Sequence, residues 1–143
     1  MKTYNGGCHC GNLRVAFATA LSPEEMEPRA CQCDFCRKHA TGAVSDPEGT
    51  LTFILQAPDQ VHRYRFGLGI TEFVICRNCG VYVGAHMPDG DGAYGNVMAH
   101  VLDDHALFTQ PTVPVIRSGE DEEGRRARRR KAWTPSTLVT MPE

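Results

Sequence analysis

Seven cysteines gathered into three tight clusters constrain this chain of 143 residues more than any other feature. The clusters are Cys8-His9-Cys10, Cys31-Gln32-Cys33-Asp34-Phe35-Cys36 and Cys76-Arg77-Asn78-Cys79. The stretch from Met1 to Gly7 has no apolar core and does not read as a secretory signal. No apolar run approaches the ~20 residues needed to span a bilayer. The expected compartment is therefore the reducing cytoplasm, where disulfides are rare and clustered cysteines serve metal or redox chemistry. A single C-x-x-C can be a redox pair, but that would leave five cysteines without a role. The seven read as metal ligands, and the borderline-soft cation that thiolates favour is zinc.

The spacing says how they divide. Residues two apart on a strand share a face, so Cys8 with Cys10, and Cys31 with Cys33, can each aim two sulfurs at one ion. Gly80 and Gly11, just after two of the clusters, can take the positive φ of a tight metal knuckle. A structural zinc is closed by four ligands, and whole clusters of two, three and two make four in one way only. Cys8, Cys10, Cys76 and Cys79 then form a closed structural site. Cys31, Cys33 and Cys36 remain as three ligands with a free fourth position, as a catalytic or labile zinc keeps. The alternative is that a histidine closes the second site, making both structural, and His39 is the nearest. His9, His62, His86, His100 and His105 read as surface or satisfied core histidines. Three thiolates make zinc a poorer acid toward water but favour a further sulfur donor, so the ligand expected is a thiol. Arg37 and Lys38, directly after Cys36, are placed to attract an anionic one.

Around these clusters the pattern is that of strands. Residues 13–18, 50–55, 61–66, 70–76, 81–85 and 96–102 are short and rich in β-branched or aromatic residues, with turn signals at 57–59, 67–69, 78–80 and 88–95. Helical signal is confined to a turn or two over 34–40 and a charged helix over 119–132. In that helix Glu120 to Glu123 precede Arg125, Arg126, Arg128, Arg129, Arg130 and Lys131, an order that suits the helix dipole. Ser118 and Asp121 suggest a cap, and Pro135 a stop. With 41% hydrophobic residues and a net charge of -2, the chain is an ordinary globular protein with no general pull toward nucleic acid or membrane. The fold expected is mainly β: one small zinc-stapled domain over 1–143, of packed antiparallel sheets with one late charged helix. Pro88 to Gly92 lacks the acidic residue of a calcium loop and reads as a plain turn. Asp103, Asp104 and His105 read as a loop.

The three cysteine blocks, with Gly6-Gly7 before the first and Gly80 after the third, resemble the glutathione-dependent formaldehyde-activating enzyme family in order and spacing. The chain looks like a compact bacterial relative, and the similar stretch runs from about Gly6 to Trp133. Asp34 stands where the family often has Ser. The resemblance implies a mostly β zinc domain, with a structural zinc on Cys8, Cys10, Cys76 and Cys79 and an exchangeable one on Cys31, Cys33 and Cys36. It implies an activity joining formaldehyde to glutathione as S-(hydroxymethyl)glutathione, a carbon–sulfur lyase reaction run in reverse.

Two functions follow as expectations. In the first, a glutathione-like thiol meets an aldehyde at Cys31, Cys33 and Cys36 and an S-hydroxyalkyl adduct forms or breaks; His39 and Asp34 are candidate bases. In the second, the chain is a zinc-stapled binding module without catalysis, using the basic helix against a polyanion.

Overall fold

Short, alternating segments form strands wherever one face can be buried. The computed structural model describes residues 1–141. The strands are β1 (Lys2–Gly7), β2 (Leu13–Thr19), β3 (Arg29–Cys31), β4 (Ala43–Val44), β5 (Thr50–Leu55), β6 (Val61–Tyr64), β7 (Glu72–Cys76), β8 (Tyr82–Asp89), β9 (Gly92–Met98), β10 (Val113–Val115) and β11 (Thr134–Thr140). The helices are α1 (Asp34–Lys38) and α2 (Glu122–Ala132). The mainly β fold with one late charged helix is as expected.

The strands form two halves of one hydrogen-bonded sheet. In the first half β1, β2 and β5 pair antiparallel in sequence; in the second β6, β7, β8 and β9 do the same, with β4, β3 and β10 following beyond β9. β11 joins them. Its Thr134 and Pro135 pair antiparallel with β9, and its Ser136 to Thr140 run parallel to β5. A second parallel pair, β3 with β10, departs from the antiparallel expectation. The sheet folds back so that β5 lies over β8: a Cβ on Gly84 would collide with the Asn96 carbonyl oxygen of β9 and sit 3.1 Å from Phe53, which is why a side chain is missing there.

Phe17, Phe53, Leu13, Leu51, Met87 and Val83 are at most 1% exposed in one continuous core. Each such side chain contributes about 1.5–3 kcal/mol by leaving water. Turn positions differ from expectation in one place. Residues 88–95 are mostly strand, because Gly90, at φ 60°, lets a two-residue turn close the β8–β9 hairpin. Pro88 is tolerated in β8 because β7 pairs only as far as His86, leaving no partner for the N–H it lacks. The cap of α2 is Asp121, whose Oδ1 accepts the Gly124 N–H at 2.8 Å, and Ser118 lies outside the helix. Among the described residues, no helix is long and apolar enough to cross a membrane.

Candidate metal centres and the adjoining pocket

The first cluster sits in the β1–β2 turn rather than on a strand, since β1 ends at Gly7. Cys76 ends β7, and Cys79 lies in the turn leading to β8. Gly11 and Gly80 take φ of 85° and 84°, the left-handed backbone a tight knuckle needs. The two turns meet: Cys8 and Cys10 sulfurs lie 3.7 Å apart, and Cys10 and Cys76 sulfurs 3.6 Å. All four sulfurs fall within 4.8 Å of one another, close enough to hold a metal ion. A tetrahedral ion with metal–sulfur bonds of about 2.3 Å has sulfur–sulfur edges of about 3.8 Å, which these separations fit. Backbone N–H groups of Leu13 and Cys79 point at the Cys8 and Cys76 sulfurs, 3.3 and 3.5 Å away. Such donors favour thiolate.

The second group is built by α1. Cys31 ends β3, Cys33 caps the helix by accepting the Cys36 N–H at 3.4 Å, and Cys36 follows one turn later. Their sulfurs also lie within 4.8 Å of one another, and no fourth histidine, cysteine or carboxylate among the described residues joins them. The His39 ring is occupied elsewhere, 4.4 Å from the Phe35 ring and 5.5 Å from that of Tyr82. Asp34 faces solvent in an exposed pair with Arg37 at 3.3 Å.

The donor chemistry of both groups calls for a cation. The Cys36 thiol, donating to Cys31 and buried, is pushed well up, while that hydrogen bond holds Cys31 down at about 5. Burial raises Cys8 to about 11, while a hydrogen bond from the Asn78 side chain brings Cys10 to about 6. A cation between the sulfurs would favour thiolate at Cys36 and Cys8 against these effects.

The three-sulfur group opens on a cavity of about 200 Å³. One wall is aromatic, with Phe66, Phe73, Tyr82 and Trp133. Arg29, Arg117, Arg125, Arg128 and Arg129 line it as well, and the Arg129 guanidinium lies 4.0 Å over the Trp133 ring. Sequence reading placed the site's cations at Arg37 and Lys38, but neither lines the cavity. The available signal was the spacing in α2, where Arg125, Arg128 and Arg129 fall on one face at i, i+3 and i+4. The other face is spent within the chain, for Arg126 and Arg130 both donate to Asp89, at 3.1 and 2.6 Å. Burial, and then the neighbouring Arg128 and Arg125, bring Arg129 down to about 9. Thr41 also lines the cavity, with its buried hydroxyl unpartnered.

The family model for the glutathione-dependent formaldehyde-activating enzyme matches residues 3–117. That span holds all seven cysteines, Arg29 and Arg117; α2 and β11 lie beyond it. A crystal structure of a Rhodobacter sphaeroides protein shares the fold, with a TM-score of 0.54 and 21% identity over 76% of this chain and 99% of that one.

Proposed function

Since this chain belongs to the glutathione-dependent formaldehyde-activating enzyme family, we propose that it is a zinc-dependent carbon–sulfur lyase that forms or cleaves an S-hydroxyalkyl adduct between a glutathione-like thiol and an aldehyde. Cys8, Cys10, Cys76 and Cys79 hold a structural zinc in this reading. Cys31, Cys33 and Cys36 are the catalytic set and hold the second zinc. The observation that carries it is the three-sulfur group with no fourth donor among the described residues, opening on a cavity lined by aromatic and arginine side chains.

Zinc there would supply a site at which the incoming thiol binds as thiolate at neutral pH. The residues around it do the rest. The sulfur attacks the aldehyde carbon, a C–S bond forms, and the carbonyl π pair moves to oxygen, which then takes a proton. Phe66, Phe73 and Trp133 exclude water from the forming adduct and hold the aldehyde beside the sulfur. The compartment consistent with free thiols and glutathione is the cytoplasm. The binding-module alternative needs free cations on α2, and the outward-facing Arg126 and Arg130 are already paired with Asp89.

The test is exchange between free formaldehyde and its glutathione adduct, followed by NMR with zinc-loaded protein. Acceleration over buffer that disappears in Cys33→Ser is expected. An equal rate in both proteins would overturn the assignment of the three-cysteine group.

A further inference from the structure

The cavity is built for more than formaldehyde. Five guanidinium groups line it, and the carboxylate that pairs with any of them is Glu120, bound to Arg125 and Arg128. Among the described residues, Arg29, Arg117 and Arg129 have no carboxylate partner within ion-pair distance. Arg129 is 8% exposed, and its Nη1 reaches only the Thr71 hydroxyl and the Met87 sulfur. The Nε groups of both Arg129 and Arg117 are buried without any acceptor. A buried donor left unsatisfied costs about 1–3 kcal/mol, and more when it is charged. Arg129 lies 4.0 Å over the Trp133 ring and Arg29 donates to the Ser45 hydroxyl at 2.6 Å, but these contacts supply no negative charge. Three cations without a carboxylate partner around one cavity mark the place of a ligand's negative group.

Resting on the thiol–aldehyde reading above, we propose that the electrophile is a small aldehyde that itself carries a carboxylate, gripped by Arg29, Arg117 and Arg129. Formaldehyde has neither the charge nor the bulk to fill this space. The size argues in the same direction: about 200 Å³ lies below the ~300–1,000 Å³ of pockets that enclose drug-sized ligands, so a whole tripeptide does not fit inside. Planar guanidinium groups bind carboxylates through paired N–H donors. Arg129 belongs to α2, outside the family-matched span. The reaction is unchanged in form: the thiolate sulfur bonds to the aldehyde carbon, the π pair goes to oxygen, and a proton from water completes the hemithioacetal. The carboxylate stays intact throughout.

The test uses the zinc-loaded protein with 2-mercaptoethanol, which brings no carboxylate, and three aldehydes: formaldehyde, acetaldehyde and glyoxylate. Relative to the uncatalysed rates, glyoxylate is expected to be accelerated at least tenfold more than acetaldehyde. In Arg117→Met the ratio of glyoxylate to acetaldehyde acceleration should fall at least tenfold, with partial rescue in Arg117→Lys. Calorimetric titration with glycolate, an unreactive carboxylate, should show affinity weakened at least tenfold in Arg117→Met and in Arg29→Met, with circular dichroism confirming both fold. Equal handling of glyoxylate and acetaldehyde overturns the proposal. So does an arginine effect seen with glutathione but not with 2-mercaptoethanol, since the arginines would then serve the thiol's carboxylates. Acceleration of no aldehyde with either thiol defeats the thiol reading and this assignment together, whereas acceleration of the neutral aldehydes alone defeats only the assignment.

Discussion

Cys79 and Cys33 occupy matching places, each the second sulfur of a local turn, yet substitution should affect them differently. Cys79 belongs to the set that ties the β1–β2 turn to the β7–β8 turn. Structural zinc supplies about 10–16 kcal/mol in small domains, comparable to the whole 5–15 kcal/mol by which a domain is stable. Cys79→Ser is expected to give unfolded or insoluble protein by circular dichroism. Cys33→Ser, at the lip of a cavity, should stay folded with a melting temperature within a few degrees of the parent. It should hold one zinc fewer by native mass spectrometry, and equal damage from the two changes would sink this division. The cysteines were legible in the sequence because each pair is set by local spacing. Arg29 and Arg117 were not, because nothing near them in sequence says that α2 will pack its own arginines against them.

At the scale of elements, α2 shows how much of a charge run its neighbours decide. Its order of acids and bases was readable, and so was the Glu122–Arg126 pair within it, at 3.1 Å; its partner beyond the helix was not, since Asp89 lies in the β8–β9 hairpin. Arg128 and Arg125 hold Glu120 down at about 2, and Arg130 with Arg126 lowers Asp89. Both carboxylates ionise more readily folded than unfolded. Their stabilisation is thus fully present above the unfolded value of 4.5 and drains away as pH falls toward 2. Thermal melts from pH 6 down to 2.5 should show that loss, and Glu120→Gln should remove its share, on the order of 1 kcal/mol or less for partly exposed pairs. An acid limb identical in the variant would mean the pairing contributes nothing. Among strands, 50–55 and 13–18 were plain because one face alternates into the core. β1 and β11 were missed. Lys-Thr-Tyr-Asn-Gly-Gly carries little strand preference of its own and is extended because β2 offers it an edge. In β11, Pro135 obscured the largely β-branched Thr-Leu-Val-Thr that follows.

For the molecule as a whole, the two cysteine groups divide stability from reactivity in the proposed reading. Titration with a strong chelator should remove one metal early with no change in circular dichroism. The second should leave only with cooperative unfolding, because it joins segments 66 residues apart in sequence, as Cys10 and Cys76 are. Two metals lost together with the fold would make both sites structural. The joint supplied by β11 has a further consequence for synthesis. As the chain leaves the ribosome, β5 and β9 are complete long before Thr134 to Thr140 exist, and each presents an open row of backbone donors and acceptors. Such edges pair readily with other chains. The nascent protein therefore carries an adhesive β5 edge, joined later by a short stretch of β9, until Thr134–Thr140 emerges and covers both.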